Sequence, residues 1–283
     1  MKRRIFDYIC YFVLGIFAIV ALFPAFFVFI NSFFSSAELS DSYGNIIGNN
    51  SDVDFKMHFI PINATLTNYI RILITSSSYL MKFWISLAIS FAIMAGQVII
   101  SCISGYGFAK FNFKGKKVFF FLIIILMMMP IQVIIVSNYI ILDKFNLIGS
   151  YASIILPGIF STFGVFLMTQ VFSAIPSDII EAAKVDGASH LRILFNIVVP
   201  CSKSGILSLV ILNFIDSWNM VEQPLVFLKD SYKFPLSVFL SRINESDLGL
   251  GFACSVLAIL PAFFLFLFLS ENLIQGIEYS NLK

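Results

Sequence analysis

A carboxylate lies in the middle of one of the apolar runs of this chain. Asp216 is about ten residues into the run from Ile206 to Leu228, and a charge at the centre of a bilayer is costly unless it faces protein or water. Asn213 comes three residues before it, and Met220 and Gln223 follow at intervals of four and three. Such intervals place side chains on one stripe of a helix. The stripe and its neighbours predict the lining of a pathway for a polar solute: Asn213, Asp216, Ser217, Trp218, Asn219 and Gln223.

The polar stripe has a structural interpretation as well. It would equally serve as a polar clamp between helices or with a second membrane subunit. Trp218 could stack on the face of a sugar or pack in the interior. Pro130, Pro157 and Pro261 interrupt the third, fourth and sixth apolar runs, and they predict places where those helices bend.

The second candidate site is a polar segment between the fourth and fifth apolar runs, residues 174–203, which we call the central loop. Pro176 blocks continuation of the preceding helix. Asp178 and Glu181 have the spacing of a capping box, with Asp in place of Ser or Thr. Gly187 suits the left-handed residue that ends a helix. An apolar side is expected from Ile179, Ile180, Ala183 and Val185.

A second helical segment should follow in the central loop. Ser189 can cap it, and Pro200 is expected to stop it after Val199. The loop is then a helix–turn–helix on the membrane surface, either a docking site for a partner or an interfacial helix resting on headgroups. It lacks the Lys/Arg-rich polar face and large aromatic residues of interfacial helices, which favours docking.

The positions of these segments follow from composition. Of 283 residues, 59% are hydrophobic and only 12% are charged, about half the charged share of a soluble chain. The sequence predicts an all-α membrane protein with six spanning helices, since spanning a bilayer takes about 20 apolar residues. The six runs are Ile9 to Ile30, Phe83 to Ala109, Val118 to Leu142, Tyr151 to Phe172, Ile206 to Leu228 and Leu250 to Ser270.

Basic residues set the expected orientation. With both termini in the cytoplasm, 11 of the 18 Lys and Arg residues lie inside, four of them in the short segment 110–117. This bias predicts a cytoplasmic central loop. The segment of about residues 31–82 is then extracellular, and its polar part, 35–54, is expected to be an irregular flap. The whole chain, residues 1–283, is expected to form one transmembrane domain.

Several functions are excluded or disfavoured. A net charge of +2 gives no indication of nucleic-acid binding, which usually needs a strongly basic surface. The chain has no Gly-x-x-x-x-Gly-Lys-Ser/Thr phosphate loop, so we expect no nucleotide on this chain. Neither His58 nor His190 has a second His or Cys at metal-site spacing nearby in the sequence, so we expect no metal or other cofactor and no enzymatic activity. The pair Gly105 and Gly107 lies within an apolar helix and favours helix packing or flexibility over a nucleotide site.

The central loop resembles a known motif. Glu181-Ala182-Ala183, Asp186-Gly187-Ala188-Ser189 and Val198-Val199-Pro200 are similar to the EAA loop of ATP-binding-cassette importer permeases. Further segments look like the carbohydrate branch of that family, of maltose and multiple-sugar type: Phe59-Ile60-Pro61, Thr67-Asn68-Tyr69, Tyr106 to Lys117, Met128 to Val133, Phe163 to Leu167 and Trp218-Asn219. The departures are Val199 where Leu is frequent, the polar Glu222-Gln223-Pro224 and the polar segment 35–54.

The resemblance implies a transport subunit in the cell membrane. Its expected partners are a second, related permease, two cytoplasmic ATPase subunits that hold ATP and Mg²⁺, an extracellular solute-binding protein and membrane lipids. The residues matched to the coupling helix are Glu181, Ala182, Ala183, Asp186, Gly187, Ala188 and Ser189. The polar C-terminal tail, 275–283, could reach the ATPases, although a frayed terminus is the usual outcome.

Three alternatives remain open from the sequence. A related permease could carry a polyol, phosphate, polyamine or amino acid instead of a sugar. An ion-coupled secondary carrier would use Asp216 as its ion site. A signalling subunit would sense a solute without moving it.

Overall fold

The fold is entirely helical over the residues that the structure, a computed structural model, describes: 2–47, 60–75, 77–243 and 248–280. Part of the predicted outer flap, with Phe59, and the last three residues of the tail lie outside these ranges. The chain forms two compact units. Unit 1 comprises Met1–Met81 and Phe239–Leu260, and unit 2 comprises Lys82–Val238 and Pro261–Lys283.

Unit 1 begins with a long apolar helix, α1 (Lys2–Asn31). Its segment Asp7–Asn31 is long enough to cross a bilayer, and its central side chains are exposed. This exposure is expected of a helix that is apolar on all sides and faces lipid or another protein. Unit 1 also contains α2 (Ser36–Ile47) and α3 (Thr67–Ile70), which continues as a π-helical turn, Arg71–Thr75.

The segment after α1 is more regular than predicted. Residues 36–47 form α2 rather than an irregular flap, so that expectation is wrong for this part. Leu39 is buried, the Tyr43 hydroxyl donates to Asn31 Oδ1 at 2.9 Å, and the Asn63 amide donates to Glu38 Oε1 at 3.0 Å. These contacts join residues far apart in sequence, which explains why polar composition alone suggested a loop.

Unit 2 contains most of the remaining helices. They are α4 (Ser77–Lys110), α5 (Lys116–Met127), α6 (Ile131–Lys144), α7 (Ala152–Gly158), α8 (Thr162–Ser173), α9 (Ser177–Val185), α10 (His190–Ile193), α11 (Val199–Cys201), α12 (Lys203–Trp218), α13 (Glu222–Phe227), α14 (Leu236–Leu240) and α15 (Leu248–Ser280). A π-helical turn, Leu194–Val198, joins α10 to α11, and a 3₁₀ turn, Ser231–Lys233, precedes α14. The helices α4, α14 and α15 each cross the boundary between the units.

The described residues contain four helices long and apolar enough to span a bilayer, or six if each of two bent helix pairs is one span. The pair α5 and α6 bends by 104°, and the pair from His190–Cys201 to α12 bends by 83°. The fifth predicted run was wrong in its extent, because α12 ends at Trp218 rather than continuing to Leu228.

The proline predictions have mixed outcomes. Pro130 separates α5 from α6, and α7 ends one residue after Pro157, as predicted. Pro261 lies inside α15, and the helix continues through it, so the bend expected there stays a prediction. Pro200 does not stop its helix either, since α11 continues to Cys201 after the π-helical turn. Wider π turns of this kind accommodate irregularities within a helix.

The loops predicted to be extracellular meet at one end of unit 2. Lys82 Nζ donates to the Ser231 carbonyl at 2.9 Å, and the Gly149 amide donates to the Phe227 carbonyl at 2.8 Å. Lys233 donates to the Gly149 carbonyl at 2.8 Å and pairs with Asp230 at 2.9 Å. Hydrogen bonding within this pair lowers the pKa of Asp230 and raises the pKa of Lys233.

A serine side chain on α4 binds the first residue of α14. The buried Ser86 Oγ on α4 accepts the Leu236 amide at 2.6 Å. We expect Ser86→Ala to lower the free energy of unfolding by about 1–3 kcal/mol, because a buried amide is left without an acceptor. Thermal unfolding of the purified protein in detergent measures this loss.

Ser90 provides the control, since it lies one turn further along α4. Its Oγ is buried and has no hydrogen-bond partner among the described residues. Ser90→Ala should therefore leave the midpoint temperature of thermal unfolding unchanged or raise it. Equal losses for the two variants would contradict the anchoring role of Ser86.

Candidate translocation cavity and docking loop

Three interruptions of the helices of unit 2 meet at one cavity, which we call the helix-break cavity. It has a volume of about 550 Å³. Its wall includes the ends of α5 and α6 at Met127 and Ile131, the break between α7 and α8, and residues 219–221 after α12. Non-helical backbone at membrane depth is tolerated where it is buried in protein or lines a water-filled cavity. The three breaks are therefore consistent with a cavity that is open to water.

Local sequence explains each break. Pro130 has an extended backbone conformation, which starts α6 in a new direction. Ser161 caps α8, because its hydroxyl accepts the Gly164 amide at 3.0 Å. At the end of α12, the Asn219 Nδ2 group donates to the Ile215 carbonyl at 2.9 Å. Side-chain caps of this kind satisfy backbone groups that lose their partners at a helix end.

The cavity wall is rich in groups that form hydrogen bonds. Its polar side chains are Gln97, Asn138, Ser161, Thr162, Asp216, Ser217, Asn219, Glu222 and Gln223. Two of them are held in place: Gln97 donates to the Gly158 carbonyl at 2.6 Å, and Glu222 Oε1 accepts from Gln132 at 2.8 Å. A site of this composition suits a solute with many hydroxyl groups.

The structure brings four of the six predicted pathway residues to this cavity: Asp216, Ser217, Asn219 and Gln223. The predicted stripe on one helix is wrong, however, because α12 ends at Trp218 and Gln223 belongs to α13. The break at 219–221, rather than helical periodicity, brings Gln223 to the same cavity as Asp216.

The other two predicted pathway residues lie elsewhere. Asn213 is buried, and its Nδ2 group has no hydrogen-bond partner among the described residues. Trp218 packs between Phe83 and Phe214, with ring centroids at 5.6 and 5.7 Å. This is the packing arrangement that the sequence left open for Trp218.

Several cavity residues were missed from the sequence. Gln97, Asn138, Ser161, Thr162 and Glu222 lie on four helices and one break, so no single periodicity connects them. For Ser161 and Thr162 the available signal was their position shortly after Pro157, since polar residues beside a helix break can line a cavity. Gln97 and Glu222 had no such signal in the sequence.

The central loop begins with α9, which differs in detail from the prediction. The helix starts at Ser177 after Pro176 and has no side-chain cap, so the predicted capping by Asp178 is wrong. Ile180 and Ala183 are buried, whereas Ile179 and Val185 are exposed. The four predicted apolar residues therefore do not share one face.

The end of α9 is a tight turn, as predicted. Gly187 has a φ of +77°. Its amide donates to the Lys184 carbonyl, and the Ala188 amide donates to the Ala183 carbonyl, both at 3.0 Å. These two bonds form a Schellman motif. Ser189 then caps α10 by accepting the Arg192 amide at 3.4 Å, which confirms its predicted role.

The central loop is fixed to the end of α4. Lys110 Nζ donates to the Ile175 carbonyl at 2.6 Å. The His190 ring lies 4.6 Å from Phe111, and its Nδ1 is 3.3 Å from the Tyr106 hydroxyl. Beneath the loop, Ile180 and Ala183 join a buried apolar cluster with Phe172, Leu194 and Leu209. The central loop thus contacts the rest of unit 2 at its start, through Ile175, and near its middle, through His190.

The outer surface of the loop is open. Glu181, Ala182, Asp186 and Gly187 are exposed, and Val185 is 87% exposed. Among the described residues, no group of three or more His, Cys, Asp or Glu side chains could hold a metal ion.

Helices of spanning length that break around a polar cavity define a polytopic membrane transport protein. The sequence matches the family described as binding-protein-dependent transport system inner membrane component over residues 88–279. The chain belongs to this family. It is therefore a membrane transport component, not an enzyme, and the family works with a binding protein and an ATPase.

Individual relatives agree with this assignment. The chain is 29% identical over 271 residues to the arabinooligosaccharides transport system permease protein AraQ of Halalkalibacterium halodurans, covering 94% of this chain and 92% of the relative. Identity to AraQ of Bacillus subtilis is 30% over the same coverage. The sn-glycerol-3-phosphate transport system permease protein UgpE of Yersinia pestis is 31% identical over 146 residues, 52% of each chain.

The fold has a counterpart among solved structures. A bacterial ABC transporter involved in the import of the acidic polysaccharide alginate superposes with a TM-score of 0.80. It is 22% identical in sequence, and the match covers 96% of this chain and 97% of that chain. The likeness shows that the fold is that of an ABC transporter chain.

Proposed function

We propose that this chain is the permease subunit of an ATP-driven importer of a sugar or oligosaccharide. The observation that carries the proposal is the helix-break cavity, where amide, hydroxyl and carboxylate groups from Gln97, Ser161 and Asp216 line one space. Its volume, about 550 Å³, lies within the range of small-molecule sites. The two AraQ relatives, named for arabinooligosaccharide transport, support a saccharide solute.

The central loop would receive the ATPase. Its Glu181 and Val185 are exposed, whereas Ile180 and Ala183 on the same helix pack into a buried apolar cluster of unit 2. A helix that is packed firmly on one side and exposes polar and apolar side chains on the other can transmit movement of a bound partner to the membrane helices. In this proposal the coupling residues are those matched to the EAA motif, from Glu181 to Ser189.

The proposed topology places the central loop and both termini in the cytoplasm. The basic segment 110–117 contacts the central loop through Lys110 and Phe111, which supports one side of the membrane for both. The loops at 149 and 227–233 contact each other at the predicted outer side. We propose that the whole chain forms one permease domain in the cell membrane, spanning it six times with each bent pair as one span.

The proposed assembly has a second permease, two ATPase subunits and an extracellular binding protein. ATP and Mg²⁺ would bind the ATPases alone. ATP can shift the permease between inward-facing and outward-facing states only if it binds the ATPases more tightly in one state. Uptake should therefore require ATP and the binding protein together.

Reconstitution tests the proposed function. The complete assembly is placed in lipid vesicles, and uptake of labelled arabinotriose and other neutral oligosaccharides is followed with and without ATP. We expect uptake that needs both ATP and the binding protein. ATP-independent uptake driven by an ion gradient would refute the proposal.

Charge reversal on the central loop should uncouple transport. If the ATPase presents a basic group to Glu181, Glu181→Arg creates a like-charge contact at that interface. We expect it to lower ATP-dependent uptake by at least about tenfold, which corresponds to a cost of about 1.4 kcal/mol or more. The control is Asp143→Arg, the same change on an exposed carboxylate at the end of α6. Equal uptake by the two variants at equal membrane abundance would rule out the coupling role.

A further inference from the structure

We infer that the helix-break cavity selects a neutral, polyhydroxylated solute and excludes anionic solutes. The inference rests on the proposed function, because it takes this cavity to be part of the transport pathway. It concerns charge, a property on which the relatives' named solutes differ.

The charged side chains that the structure describes in the cavity wall are all acidic. Asp216 and Glu222 are both exposed and both line the cavity. None of the described lining residues is Lys, Arg or His. A phosphate or carboxylate in this space would face two carboxylates with no cation in the wall to offset them. Juxtaposed like charges oppose binding and are a recognised means of rejecting the wrong partner.

The remaining polar groups suit a neutral solute. Four amides and three hydroxyls line the cavity beside the two carboxylates: Gln97, Asn138, Asn219 and Gln223, with Ser161, Thr162 and Ser217. Amides and hydroxyls both donate and accept hydrogen bonds, as sugar hydroxyls do, and a carboxylate accepts from them. Phe160 and Phe163 add apolar surface for the C–H faces of a sugar ring.

The two carboxylates would attract a cationic solute, but they make up only a small part of the polar wall. The Glu222 carboxylate already accepts a hydrogen bond from Gln132 at 2.8 Å. One acceptor site of Glu222 is therefore occupied, and seven neutral polar groups line the cavity beside the two acids. A wall of this composition recognises hydroxyl groups over most of its surface.

The charge of the wall separates the solutes named for the relatives. Arabinooligosaccharides are neutral, whereas glycerol 3-phosphate and alginate are anionic. Of these three classes, only the neutral oligosaccharide lacks a charge that the two carboxylates would repel. We therefore assign the neutral class to this chain.

The test uses the complete importer in lipid vesicles with three probes. They are arabinotriose, the same trisaccharide oxidised at its reducing end to a carboxylate, and the same trisaccharide carrying an amine there. Each is supplied at a concentration that saturates the binding protein, so that the rates report the permease step. In the wild type we expect the uptake rate of the neutral probe to be about tenfold higher than that of the acid.

Neutralising the wall should narrow that difference. In the double variant Asp216→Asn with Glu222→Gln, we expect the ratio of neutral to acid uptake to fall by about the same factor. Asp143→Asn removes an exposed carboxylate outside the cavity and should leave the ratio unchanged.

The outcomes distinguish this inference from the proposed function. ATP-dependent uptake in which the acid or the amine enters as fast as the neutral probe overturns the inference and leaves the importer assignment standing. A stable double variant with an unchanged ratio also overturns it. If no neutral or charged saccharide enters in an ATP-dependent manner, the proposed function fails and the inference fails with it. The wild-type comparison needs no substitution, so a double variant that does not fold leaves the test intact.

Discussion

Replacing Gly187 by proline should abolish ATP-dependent uptake while leaving the protein inserted in the membrane. Gly187 has a φ of +77°, whereas proline is fixed near −65°. The substitution also removes the amide that donates to the Lys184 carbonyl at 3.0 Å. The Schellman turn between α9 and α10 then cannot close, so the exposed residues of the central loop lose the arrangement that a partner would recognise.

The matched control is Gly187→Asn. Asparagine tolerates the left-handed conformation better than other side chains, and a Cβ at Gly187 would meet no atom within 4 Å. We expect this variant to keep most of its uptake and to co-purify with the ATPase subunit, whereas Gly187→Pro loses both. Normal uptake by a well-expressed Gly187→Pro variant would refute the coupling role of the turn.

The second large effect concerns folding rather than coupling. We expect Gly105→Val to destabilise unit 2 by about 3 kcal/mol or more, because overpacking costs roughly 1–3 kcal/mol even where side chains can shift. A Cβ at Gly105 would lie 2.6 Å from Met168 Cβ and 2.9 Å from the Met168 carbonyl carbon. Relief of this clash requires a shift of the α8 backbone, which costs more free energy than a change of side-chain rotamer. The measurement is the thermal midpoint and the yield of monodisperse protein in detergent.

Gly107→Val is the control on the same helix two residues later. A Cβ at Gly107 would meet nothing within 4 Å, while the change in helix propensity is the same. We expect this variant to behave nearly as the wild type. Equal destabilisation by the two substitutions would show that helix propensity, and not the contact between α4 and α8, explains the effect. The sequence alone predicted helix packing or flexibility for this Gly-x-Gly pair and could not say which glycine makes the contact.

The sequence was most informative where the cause is local. Apolar runs of spanning length, the left-handed turn at Gly187, the cap at Ser189 and the breaks near Pro130 and Pro157 all depend on residues a few positions apart. The resemblance to importer permeases, confirmed by the family match over residues 88–279, also depends on short motifs in a fixed order.

Predictions that assumed regular continuation were wrong. The polar stripe from Asn213 to Gln223 required one unbroken helix, but α12 ends at Trp218. The end is stabilised by distant contacts as well as local ones, since the Ser237 hydroxyl donates to the Met220 carbonyl at 2.5 Å and Trp218 packs on Phe83. Sequence periodicity contains no information about partners so far away along the chain.

By itself, then, the sequence determined the class of protein, the order of its membrane helices, the turn at Gly187 and the presence of a carboxylate at Asp216. Only the tertiary structure decided that three helix breaks share one cavity and that Glu222 joins Asp216 in its wall. The physical reason is that helix formation and turns are governed by neighbours in sequence. A cavity is enclosed by contacts between segments that are distant in sequence, and those contacts exist only once the chain has folded.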